Sequence, residues 1–161
     1  MDYVFSDGGR KEAGFKGRAG DCVARAIAIA AGRPYIEVYD RLSLGTAHQR
    51  ASKRTPKRGS SASGGINVRR KWFQDYMREL GFSWVPTMAI GSGCKVHLAE
   101  GELPPTGRLI VSLSKHYSAV IDNTIYDTHD PRRDDSWWHH PDGTTTKVGG
   151  RCVYGYWRYD K

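Results

Sequence analysis

The stretch Gly20-Asp21-Cys22-Val23-Ala24-Arg25-Ala26-Ile27-Ala28-Ile29-Ala30-Ala31 carries a cysteine out of a polar turn into the first turn of an almost wholly apolar segment. Ala and Ile fill its interior, Asp21 is placed as an N-cap, and Gly32-Arg33-Pro34 gives the stop, so the pattern predicts a helix. A helix apolar on nearly every side is buried on nearly every side, and the rest of the chain is expected to be built around it. Its first turn offers unpaired N–H groups and a partial positive charge, which favour a thiolate over a thiol and suit a developing oxyanion.

Working outward, residues 1–19 are rich in Gly and charge and read as a loop on the body ahead of that helix. Pro34 opens a second helix with Tyr35, Ile36, Val38, Tyr39 and Leu42 on one face. From Leu44 to Ile66 the chain turns to Ser, Gly, Thr, Lys and Arg without periodicity, which predicts a long flexible basic loop. Asn67 then caps a third helix over Val68–Leu80, with Arg69, Arg70 and Lys71 in its first turn and Gly81 at its end. After Gly81 the period changes. Phe82–Val85 is a short strand, Gly91–Cys94 a turn, Val96–Leu98 a brief helical turn, and Arg108–Leu113 a buried strand. His116–Ile121 and Thr124–Thr128 form a hairpin across Asp122-Asn123, residues that tolerate the left-handed conformations of a two-residue turn. Asp130–Gly150 is polar, around Trp137-Trp138-His139-His140, and Arg151–Tyr159 alternates as a final strand. Helices first and an antiparallel sheet second make the fold class α+β, in a single domain over residues 1–161.

Composition narrows the function classes. With 39% hydrophobic and 11% aromatic residues the chain has the makings of a globular core, which excludes a disordered protein. No apolar run approaches the roughly 20 residues of a membrane span, and the N-terminal residues lack the order of a signal peptide, so no membrane partner and a cytoplasmic location are expected. Three cysteines without close pairing argue against a disulfide framework. The net charge of +8 is local: eight of the 25 basic residues fall between Arg50 and Lys71 with no acidic one among them, and the other 17 balance the 17 acidic residues. That segment, with Lys53, Arg54, Lys57 and Arg58 as its contacts, is suited to an anionic partner. One function class is therefore a non-catalytic protein that engages nucleic acid or another anionic surface through residues 50–71. Cys94, His97, His139, His140 and Cys152 match no familiar zinc spacing, so neither a metal nor another cofactor is expected.

The other class comes from the hairpin. A turn at Asp122-Asn123 sets Ser118 opposite Asp127 and His116 opposite His129, which puts the four side chains on one face and Asp130 on the other. With Cys22 brought to the same edge, the set is a thiol nucleophile, an imidazole base and a carboxylate that orients it. This order of cysteine at the start of a buried helix, histidine opening a strand and aspartate on its hairpin partner resembles the papain-like cysteine peptidase fold, especially small bacterial peptidases and amidases. The stretches around Cys22, His116 and Tyr126-Asp127-Thr128-His129-Asp130-Pro131 also resemble an uncharacterised group of phage and bacterial proteins. The resemblance covers the Cys22 helix and residues 108–131. It implies a papain-like architecture, the buried N-terminal cysteine helix packed against the C-terminal antiparallel sheet. It also implies attack by Cys22 on the acyl carbon of a peptide or protein substrate, His116 as base and then acid, and Asp127 fixing the imidazole. Asp130 is the alternative orienter, since relatives use an Asp-Pro there and one bulge would exchange the two faces. Such enzymes often carry a glutamine ahead of the nucleophile as an oxyanion donor; here the chain reads Phe15-Lys16-Gly17-Arg18-Ala19, which leaves Lys16, Asp21 and backbone N–H groups as the oxyanion candidates. A phage origin would place the protein in the host cytoplasm.

Overall fold

The computed structural model describes residues 1–17, 19–50, 61–132, 136–148 and 150–161; for residues 136–139 and 145–148 the backbone alone is described. Six strands form one sheet in the order β1-β5-β4-β3-β8-β2, from β1 (Asp2–Phe5), β2 (Phe82–Pro86), β3 (Arg108–Leu113), β4 (His116–Ile121), β5 (Thr124–Asp127) and β8 (Gly155–Tyr159). All neighbours are antiparallel except β1, which runs parallel to β5. A separate hairpin pairs β6 (Ser136–His139) with β7 (Thr145–Val148). The helices are α1 (Cys22–Ala31), α2 (Tyr35–His48) and α3 (Lys71–Leu80). The fold is α+β, with helices and an antiparallel sheet largely segregated along the chain.

Burial explains the layering. In β3 the alternate residues go to different cores: Ile110, with Tyr117, Ala119 and Trp157, packs under the helices against Ile27, Val38, Phe73 and Met77. Leu109, Val111 and Leu113 face the other way and pack with Val120, Ile125 and Val153 under the segment carrying Leu98 and Leu103. A strand covered on both faces carries an unbroken apolar run, as β3 does over Leu109–Val111. Helix α1 is the innermost helix. It contacts β3, β4 and β5 on one side and α2 on the other, and Gly32, at φ 65°, ends it with its N–H on Ala28 and Ile29 carbonyls.

Several expectations need correction. The N-terminal residues are not all loop: Asp2–Phe5 is an edge strand in register with Thr124–Asp127. Four residues of mixed polarity give no strand signal of their own, and tertiary pairing decides. Helix α2 continues through Gly45 and buried Thr46 to His48, so the segment read as a loop from Leu44 starts later. Its far end is also structured: Ala62–Gly64 is a 3-10 turn with Ala62 fully buried and its N–H on Ser43 Oγ. Helix α3 begins at Lys71, because Asn67 Oδ1 takes the N–H of Arg69 in a local turn ahead of it. Arg69 thus lies outside the helix. His97 forms an isolated bridge with Cys152 where a helical turn was expected, and the polar 136–148 stretch is a hairpin. Cys94 and Cys152 are joined in a disulfide with Cα atoms 5.9 Å apart, against the expectation from an odd cysteine count. The third cysteine, Cys22, is the free one.

Candidate active site

The site sits where β4 begins and β5 ends. In the hairpin Ile121 pairs with Thr124, Val120 with Ile125 and Ala119 with Tyr126, and Asp122 and Asn123 both take positive φ, 46° and 62°. That turn geometry fixes the register, and the register puts Asp127 beside His116 and Ser118. His116 Nε2 lies 2.6 Å from Asp127 Oδ2, and Ser118 Oγ donates to the same oxygen at 2.7 Å. The Thr128 N–H donates to Oδ1 at 2.7 Å. Strand β1 braces this corner from the outside, since Ser6 N–H and Tyr3 Oη–H both donate to the Asp127 carbonyl, at 2.9 and 3.2 Å.

Helix α1 delivers the sulfur from the other side. Cys22, half-buried at the first position of α1, faces the His116 imidazole and the Tyr117 backbone N–H, both of which act on its thiol. Because Nε2 of His116 is taken by Asp127, the sulfur contact falls to Nδ1. Burial pushes the Cys22 thiol up, but the His116 and Tyr117 hydrogen bonds and the positive charges of His116 and Arg25 outweigh it and hold the thiol below its ordinary value. Burial opposes the charged form of His116 too. The hydrogen bonds to Asp127 and Cys22 prevail there, and the imidazole is pushed up to about 9. Asp127 is held below the usual carboxylate range despite its burial, through His116, Ser118 and the Thr128 N–H. The lowered thiol and the raised imidazole both shift the pair towards thiolate and imidazolium, the form in which a cysteine is nucleophilic and its partner carries a proton to give.

Asp130, the alternative partner, is turned away: its carboxylate is more than a third exposed and bound to Arg132, with Nη2 to Oδ2 at 2.7 Å. His129 lies against the His116 ring with centroids 5.1 Å apart. Asp21 differs most from its expected part. It precedes α1, but its side chain makes no cap bond. The carboxylate is buried instead among Arg10 (Nε 3.0 Å), the Arg25 guanidinium and the Tyr35 hydroxyl (2.5 Å). An acceptor so occupied donates nothing to an oxyanion, and its negative charge would oppose one. The Lys16 side chain is exposed on the surface. Lys53, Arg54, Lys57 and Arg58 lie outside the described residues.

Arg25 was not singled out from sequence, although it is the single charged residue inside an otherwise apolar helix. Only 12% exposed, its guanidinium joins Asp21 on one side and reaches Asp127 Oδ1 at 3.9 Å on the other. One charge thus ties the turn before Cys22 to the carboxylate behind the imidazole.

Among the described residues no cluster of three or more His, Cys, Asp or Glu is placed to hold a metal ion, and no helix is long and apolar enough to cross a membrane. Compared with family models, curated proteins and solved structures, the chain matches none.

Proposed function

We propose that this protein is a cysteine-dependent acyl-transfer enzyme of papain-like architecture, a peptidase, isopeptidase or amidase that works through a thioester. The observation that supports the reading is the alignment itself: three side chains from separate segments, Cys22 set against His116 and His116 bonded at 2.6 Å to Asp127, in one partly buried corner. In the first step the Cys22 thiolate attacks the acyl carbon and the carbonyl electrons move onto oxygen. The N–H groups of the first turn of α1 have no partner within the helix and carry the positive end of its dipole; they support that oxyanion in place of the Asp21 and Lys16 side chains. The imidazolium then passes its Nδ1 proton to the leaving amine as the C–N bond breaks, leaving thioester and neutral imidazole. Water completes the cycle: His116 takes its proton, the hydroxyl adds to the thioester, and the thiolate departs as His116 is again protonated. Asp127 keeps its proton off throughout and holds the ring so that Nδ1 faces the sulfur.

The test is Cys22→Ala against a panel of peptidyl and isopeptidyl amides. Loss of all turnover with an unchanged thermal transition is expected, since removing one sulfur from a partly exposed helix end leaves little cavity. Turnover that survives in this variant would sink the mechanism.

A further inference from the structure

A cleft of about 490 Å³ opens beside the relay, and none of its ten lining residues is acidic. Tyr117 lines this cleft and also the small recess that holds Cys22, so a single residue connects the cleft to the sulfur. Leu113 and Val68 give it an apolar wall, and Trp84, 40% exposed, is a large aromatic left open to it. Two features go beyond an apolar groove. Arg69 and Arg78 stand among its lining residues, both exposed, and Arg78 is paired 3.3 Å from Asp75, a surface contact that a better acceptor displaces at little cost. Trp157, also lining the cleft, is only 4% exposed. Its indole N–H is buried beside the Tyr117 hydroxyl and gives the floor of the cleft a fixed aromatic surface. Two exposed guanidiniums on a cleft whose lining holds no acidic side chain suit an anionic ligand.

We infer that this cleft is the subsite that selects the acyl substrate, and that it takes a carboxylate on a short apolar stem, borne by an acidic side chain or by the C-terminus of a peptide. The assignment rests on the acyl-transfer reading, and it predicts which substrates that reaction uses. The stem lies along Leu113 and Trp84 while the carboxylate meets Arg69 and Arg78.

The test uses the Cys22→Ala protein and the fluorescence of its tryptophans, two of which line the cleft. Acetyl-Ala-Glu-amide, acetyl-Ala-Gln-amide, acetyl-Ala-Ala and acetyl-Ala-Ala-amide are titrated in turn. One carboxylate form is expected to bind at least about ten-fold more tightly than its neutral counterpart, the order expected of charge-assisted hydrogen bonds, and which one identifies the source of the carboxylate. In Arg69→Gln/Arg78→Gln the preference should collapse. In the wild-type protein the preferred peptide should also protect Cys22 from iodoacetamide. Equal binding of charged and neutral peptides, a preference that survives the double substitution, or binding that leaves Cys22 unprotected overturns the inference. Should Cys22 prove as sluggish towards iodoacetamide as an ordinary thiol, the acyl-transfer reading fails on its own, and the fluorescence ratio still judges the cleft.

Discussion

Arg25 shows how much one side chain can decide. It is buried between two carboxylates, and its charge is one of those that lower the Cys22 thiol, after the hydrogen bonds from His116 and Tyr117. The other charged and titratable groups around this corner are His116, Asp127, Asp21, Arg10 and Tyr35. Arg25→Gln removes a positive charge from both sides and should raise the pH midpoint of Cys22 alkylation, with Arg25→Lys restoring part of the shift; an unmoved midpoint would make Arg25 a structural brace and no more. His116 carries a sign that can be worked out. Its pKa rises from about 6.5 unfolded to about 9 folded, so its contribution to stability is complete below pH 6.5 and is lost as pH climbs through about 9. The stability gap between wild type and His116→Gln should therefore narrow across that window, and turnover should decline on its alkaline side as the imidazolium gives up the proton meant for the leaving group. Thermal melts at a series of pH values check the first and pH–rate profiles the second. Sequence reasoning places His116 beside Asp127 because period-two alternation and a two-residue turn fix that neighbourhood, while the approach of Cys22 on α1 was expected from the resemblance alone. It does not reach the ties of Arg25 and Asp21, since a buried ion network depends on where four distant segments cross.

At the scale of the element, Gly45 tests the packing of α2 on α3. A Cβ there would sit 2.3 Å from the Trp72 ring, well inside contact distance. In an open helix, Gly→Ala gains roughly 0.5–1 kcal/mol. Here overpacking, of the order of 1–3 kcal/mol, should win. Gly45→Ala is thus expected to destabilise by a net 1 kcal/mol or so in urea titrations; a more stable variant would mean that Trp72 swings aside freely. The elements that were legible are those whose own residues decide them: α1 from its apolar run and Gly32, β3 from continuous burial, the β4–β5 hairpin from Asp122-Asn123. Those that were not, β1 and the last turn of α2, owe their form to partners distant in the chain: β5 for the first, and for the second the Trp72 ring that lies against Gly45.

For the molecule as a whole, the Cys94–Cys152 bond closes a 58-residue loop and pins the segment carrying Leu98 and Leu103 to the entrance of β8. By loop-closure entropy such a link is worth about 4 kcal/mol at most. Reduction should lower the thermal transition while leaving Cys22 alkylation at its native rate, and a thiol titration should count one free sulfhydryl before reduction and three after; three before it would remove the bond from the account. The strand order has a further consequence, for synthesis. β1 waits for β5 some 120 positions later, and β8, the latest strand of the sheet, is not an edge but fills the gap between β2 and β3. During synthesis one edge of β3 is therefore left open from residue 113 until β8 emerges at residue 155, while β4 already covers the other edge. Such a topology folds slowly, as sheets of long-range pairings do. Any nascent chain stalled before Gly155 is a sticky object, a client for chaperones, whose sheet cannot close.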